Sequence, residues 1–239
     1  MRKMLVLCLL VPFIGFSQAK LVLNGTRIFP RQDKIAEFEK ALASHAQKYH
    51  TGDWKWRVWE IQSGPDAGGY LVTEGPTSWE QVDGRNDLGA EHTEDYTKNV
   101  APLTIDRGGS EYLEFQTDLS TVALTDYADK IVINHSNIKP GKIANAPDLL
   151  KKWKAAWQAG NESVAVYMKV ASGNPGFVTV TRLKAGLKEL ATGYRKPMKD
   201  RFPTTGDGTY EAFSKEYVEV VESRWSELLI YKPELSSKQ

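Results

Sequence analysis

The side chains with the widest chemical range in this sequence are its four histidines, His45, His50, His92 and His135. An imidazole can hold a metal, carry a proton or orient a substrate near neutral pH. Their spacing matches none of the compact metal motifs: there is no HxH, no HExxH and no aspartate-rich calcium loop. The sequence therefore predicts no bound metal and no cofactor. His45 extends the helical stripe of Ile35, Phe38, Leu42 and Tyr49, so it reads as a packing residue. His50 follows in a loop and reads as solvated. His92 sits among Glu91, Glu94 and Asp95. That grouping could be an acid–base or metal cluster, and the plainer reading is a solvated helix start. No GxSxG, Walker or GxGxxG pattern is present, so neither a nucleophile elbow nor a phosphate cradle is indicated.

The N-terminus carries an address. Arg2 and Lys3 precede an apolar stretch from Met4 to Phe16, and Ser17-Gln18-Ala19 gives a small-x-small cleavage pattern. This reads as a signal peptide over residues 1–19, cut after Ala19, with the product exported to the periplasm or beyond. Leu7 before Cys8 does not fit a lipoprotein signal. Cys8 is the single cysteine and would leave with the leader, which removes disulfides and thiolate chemistry from the mature chain. Of the 239 residues, 41% are hydrophobic and 26% charged, and the formal net charge is +1. That balance speaks against a nucleic-acid partner. No 18-residue apolar run follows the leader, so no membrane span is expected.

The next signal is an internal repeat. The segment 20–30 can be laid on 130–140, with Lys20, Val22, Asn24, Ile28 and Pro30 matching Lys130, Val132, Asn134, Ile138 and Pro140. The segment 110–120 lies on 226–236 in the same way, through Ser110, Glu111, Leu113, Leu119 and Ser120. The reading is repeat 1 over 20–120, a linker at 121–129 and repeat 2 over 130–239. In each copy, period-2 strands, helical stripes and Gly/Pro turns predict the order β-α-β-β-α-β. In repeat 1 the helices fall at about 32–49 and 91–100, with a capping box at Thr77 and Glu80. In repeat 2 helices are expected near 147–159, 185–199 and 209–222. This is the ferredoxin-like arrangement, which leaves one sheet face without helices. A tandem copy is the natural cover for that face, giving an α+β fold in which two sheets pair into a barrel.

Two ferredoxin-like units in one chain resemble the dimeric α+β barrel superfamily, which includes NIPSNAP-type proteins, antibiotic-biosynthesis-type monooxygenases and chlorite-dismutase-like haem proteins. The resemblance covers nearly the whole mature chain and rests on element order, without a family motif. It implies a lumen between the sheets that holds a small ligand, and oxidation without a metal as one reaction.

Strand alternation then nominates residues for that lumen. Trp56, Val58 and Glu60 share one face of the second strand, with Ala165, Tyr167 and Lys169 as their counterparts. Asn24 and Asn134 recur at the end of each first strand. His135 breaks the repeat where the first copy has Gly25. The candidate ligand-binding set is Asn24, Trp56, Glu60, Asn134, His135, Tyr167 and Lys169, with Glu60, Tyr167 and His135 as catalytic candidates. Trp153 and Trp157, four apart on a helix, read as aromatic packing. The leading functional reading is an exported protein that binds or processes an unknown small molecule between its sheets. A non-catalytic interaction module with a filled barrel is the alternative. Haem handling, with His135 or His92 as axial ligand, is a third. A homo-oligomer is compatible with each.

Overall fold

A computed structural model describes residues 19–85, 88–206 and 208–238. The expected leader, apart from Ala19, and Cys8 lie outside the described residues. Eight strands are present: β1 Val22–Pro30, β2 Trp56–Ile61, β3 Tyr70–Thr77, β4 Thr104–Phe115, β5 Lys130–Ile138, β6 Val164–Val170, β7 Gly176–Arg182 and β8 Val221–Tyr231. They form one closed antiparallel barrel in the order β1-β3-β2-β8-β5-β7-β6-β4. Read around the ring, β4-β1-β3-β2 is followed by β8-β5-β7-β6, the same order in each half. Two seams close it: β2 pairs β8 through Trp59 and Tyr231, and β4 pairs β6 through Phe115 and Tyr167.

Among the described residues, five α-helices lie outside the ring: α1 Ile35–Tyr49, α2 Trp79–Asp83, α3 Ala90–Asp95, α4 Ala146–Ala159 and α5 Tyr210–Val220. The stripe of α1 buries Phe38, Leu42, His45 and Ala46, and that of α4 buries Leu149, Leu150, Trp153 and Trp157. Burying such a side chain is worth about 1.5–3 kcal/mol. Three apolar clusters result. One lies under α1, with Phe38, Leu42, Val58, Tyr70 and Val72. A second lies under α4 and α5, with Trp153, Trp157, Phe177 and Phe213. The third fills the lumen, with Trp59, Leu71, Phe115, Ile133, Tyr167 and Leu229. Among the described residues no helix is long and apolar enough to cross a membrane.

Several local expectations need correction. The stretch 185–199 is not a helix but holds the short 3-10 turn Leu187–Leu190 and the start of another at Met198–Arg201. Gly186 and Gly193 adopt positive φ there, and Pro197 removes a donor. The helix start near Thr77 is capped one residue later. Ser78 and Gln81 close the reciprocal bonds of a capping box. Asn24 and Asn134 stand inside their strands, since β1 runs on to Pro30 and β5 to Ile138.

Candidate functional site

Alternation on β2 places Arg57 and Trp59 on the lumen wall, while Val58 packs under α1 and Trp56 lines the cleft on that side. The expected face of Trp56, Val58 and Glu60 is thus one residue out of phase, and a one-residue slip turns every side chain to the opposite side. The phase holds on β6, where Ala165 and Tyr167 face the lumen and Val164 and Val166 face α4. Glu60 is outside, 3.6 Å from Lys232 Nζ. Lys169 is half-buried near the end of β6 and is not part of the lumen lining. Asn24 and Asn134 also face outward, not into the lumen. Asn24 lines a cleft beside the first half's helices, and Asn134 lines the corresponding cleft in the second half. Asn134 Oδ1 accepts from Arg224 at 2.6 Å and Ser226 at 2.7 Å.

The lumen itself is nearly full. Its remaining cavity is about 70 Å³, walled mainly by Leu23, Trp59, Leu71, Ile133 and Val178. Its most polar corner is a closed ion cluster. Arg27 donates both Nη atoms to Glu227, at 2.9 and 2.6 Å, and His135 Nε2 meets Glu227 Oε1 at 2.8 Å. The His135 ring stacks on Trp225 at 3.9 Å. Burial pushes the Glu227 carboxyl up, but the hydrogen bonds of His135 and Arg27 outweigh it and hold the group below the usual range. Tyr167 is buried, and that burial raises its phenol to about 12. His135 and Tyr167 are therefore in the lumen as expected, yet His135 is engaged in the ion cluster and Tyr167 is walled in.

The polar groups with spare capacity converge outside the barrel, between the sheet of the first half and α1 and α3. The apolar stripe of α1 carries His45 onto the sheet. The chain leaves the helix at His50, whose N–H caps Ala46 O at 3.1 Å. Both rings are fully buried, at 0% exposure. The His50 ring stacks on Trp56 of β2 at 3.5 Å. His92 reaches in from α3, bringing its Nε2 to 3.3 Å from His50 Nε2 and its ring to 4.8 Å from that of His45.

Carboxylates hold the cluster from both sides. His45 Nδ1 meets Asp95 Oδ2 at 2.8 Å, and this bond keeps Asp95 below the usual carboxylate range. Glu74 of β3 places Oε2 3.3 Å from His50 Nδ1 and accepts from Trp56 Nε1 and Arg85, each at 3.0 Å. Burial lowers the pKa of His50, more than Glu74 raises it. Among the described residues, the ring nitrogen His45 Nε2 has no hydrogen-bond partner. Beside these groups opens a cleft of about 300 Å³, lined also by Asn24, Thr26, Tyr96 and Ser110. It mixes an apolar floor with a few convergent polar groups, the usual make-up of a small-molecule site.

Of the sequence-nominated residues, this cleft gathers Asn24, Trp56 and His92. It adds His50 and Glu74, with His45 packed on His50 and bonded to Asp95; sequence reasoning read His45 as packing and His50 as solvated, named Asp95 only beside His92, and did not single out Glu74. One signal was available: His45 and His50 both fall at the same end of an amphipathic helix, so they had to arrive together. Their meeting with His92 depends on how α3 folds back.

No protein-family model matches the sequence, and no curated protein sequence matches it. Solved structures do match over about nine tenths of the chain. A monooxygenase candidate from Lactobacillus acidophilus NCFM superposes with a TM-score of 0.56 at 10% identity, covering 91% of this chain and 96% of the other. An anthrone oxidase-like protein gives 0.57 at 14% identity, over 90% and 92%. A chlorite dismutase candidate gives 0.52 at 6% identity, over 90% and 96%. At these identities the likeness concerns architecture.

Proposed function

We propose that this protein binds and processes a small organic molecule in the cleft between the first half's sheet and α1 and α3. The observation that carries the reading is a cleft of about 300 Å³ lined by His50, His92, Glu74 and Arg85, with the buried His45 ring packed against both of those imidazoles. The lumen is the weaker location, because 70 Å³ admits only a few waters and its ion cluster is internally satisfied. The reaction class is oxidation of an electron-rich molecule by O2, supported by the monooxygenase and anthrone-oxidase descriptions of two architectural neighbours. The common strand order of the halves supports a tandem ferredoxin-like origin, with units at 20–120 and 130–239. Export follows from the leader read in the sequence. Haem ligation by His135 is disfavoured by its pairing with Glu227.

Anthrone is a suitable first probe. Its oxidation consumes one O2; the methylene carbon gains one oxygen as a carbonyl, and its two hydrogens leave with the other oxygen as water. Oxygen uptake should match quinone formation, and Asn24→Ala or Tyr96→Phe should slow it about tenfold or more at unchanged thermal stability. Glu60→Gln, outside the cleft, should leave it unaltered. Absence of turnover, together with no thermal shift from any of a panel of phenols and anthrones, would reject the reading in favour of an interaction module. A Soret band on adding haem would redirect it to haem handling through His92.

A further inference from the structure

We infer that His45, His50 and His92 bind one first-row divalent transition-metal ion, with zinc the best fit and one coordination position left open towards the cleft. The inference rests on the cleft being the functional site and adds what that site would hold.

One ring nitrogen from each histidine lies within 4.8 Å of the other two. The closest pair, His50 Nε2 and His92 Nε2, stands at 3.3 Å. Two nitrogens bound tetrahedrally at the usual 2.0–2.1 Å from zinc would be separated by about 3.3 Å. Bringing the widest separation, 4.8 Å, to that value needs side-chain adjustment of about 1.5 Å. His45 supplies the independent evidence. Its Nδ1 is bonded to Asp95, which fixes the proton there and turns the lone pair of Nε2 inward. That nitrogen is wholly buried and has no hydrogen-bond partner among the described residues. A buried acceptor left unmet is uncommon and calls for an occupant.

The surroundings are those of a ligating set. Metal-bound imidazoles characteristically give their second nitrogen to a carboxylate. Asp95 does this for His45, and Glu74, itself anchored by Arg85 and Trp56, stands in that position for His50. Three imidazoles without thiolate or carboxylate ligands suit zinc, copper, nickel or iron rather than magnesium or calcium. Three protein ligands also leave a fourth position, as catalytic zinc sites do. Packing alone does not require histidines here. In the other half, α4 and α5 fill the corresponding layer with Leu149, Trp153, Trp157 and Phe213. A metal at this point would take an anionic oxygen, such as a phenolate or enolate, from whatever occupies the cleft.

The test uses untagged protein expressed from the full sequence, stripped with chelator and titrated with Zn²⁺ and Co²⁺ without any organic ligand. One zinc per chain is expected by calorimetry, and Co²⁺ should give the intense visible d–d bands of a tetrahedral site. His92→Ala should weaken zinc by about 100-fold or more, and Asp95→Asn by about 10–100-fold, as loss of a carboxylate partner does elsewhere. Since His45→Ala could unfold the core, His92→Ala on the half-buried face of α3 is the decisive variant, with near-UV circular dichroism confirming its fold. Substoichiometric zinc, or affinity unchanged in His92→Ala, overturns the inference. The anthrone assay and thermal shifts run in chelator report on the cleft separately. Failure of the zinc titration while an organic molecule still binds in chelator sinks the metal alone, and zinc binding while no molecule of the organic panel binds sinks the small-molecule reading alone.

Discussion

At the scale of single residues, burial decides which polar groups are structural and which have capacity left. Glu227 is completely enclosed, and Arg27 and His135 together satisfy it. Because its folded pKa is depressed, it contributes stability that is fully present above the ordinary glutamate value of 4.5 and is lost as pH falls through the folded value. The protein should therefore weaken progressively below about pH 4.5, and Glu227→Gln should flatten that acid limb. The same substitution leaves Arg27 with Asp66 as its remaining anion, at 3.0 Å, and should cost about 2–4 kcal/mol at pH 7. Urea titrations of both proteins across pH 3–7 read the two effects; equal slopes would show that Glu227 is not held in the ion cluster. His135 was visible in the sequence as a break in the repeat, but its partners were not, since Arg27 and Glu227 lie on strands far away in the chain. The meeting of His45 and His50 with His92 was hidden by the same cause.

At the scale of elements, most of the order was legible because hydrophobic period and turn chemistry act locally. The helix at Ile35–Tyr49, the hairpin between β2 and β3, and the helix at Ala146–Ala159 all follow from stripes and turns. What failed was phase. On β2, Trp56 and Trp59 are both large and aromatic, so alternation alone could not say which faced the lumen. The strand's neighbours decide it, through the pairing of Trp59 with Leu71 and Tyr231. β4 shows how tightly such pairing is specified. Gly108 has φ +143°, and a Cβ there would stand 2.3 Å from the carbonyl oxygen of Arg27, whereas one on Gly109 would meet nothing. Gly108→Ala should destabilise the fold by about 1–3 kcal/mol and Gly109→Ala by less than about 0.5. Chemical denaturation distinguishes them, and equal costs would mean that the β1–β4 approach is looser than described.

At the scale of the whole molecule, the two halves share one interior. Trp59, Leu71 and Phe115 from the first half interlock in the lumen with Ile133, Tyr167 and Leu229 from the second. The tail reinforces this. After β8 it crosses to the first half, where Leu235 joins the cluster under α1. Ser236 Oγ accepts from Val58 N–H at 3.0 Å, and Ser237 Oγ accepts from Trp56 N–H at 2.9 Å. The repeat in the sequence suggested two copies whose bare sheet faces cover each other, and the strand order does recur in the two halves of the ring. Each half alone, however, would expose its lumen face and two open strand edges, which invites association. Residues 20–120 expressed separately should therefore form dimers or aggregates, and the full chain should unfold in a single transition. Size-exclusion chromatography and calorimetry decide the matter. A monomeric, cooperatively folded 20–120 fragment would show that the lumen is an interface between finished domains. Failure of that fragment to stand alone would make the filled lumen the shared core that holds β1, β2 and β3 in place, and with them the wall of the histidine cleft.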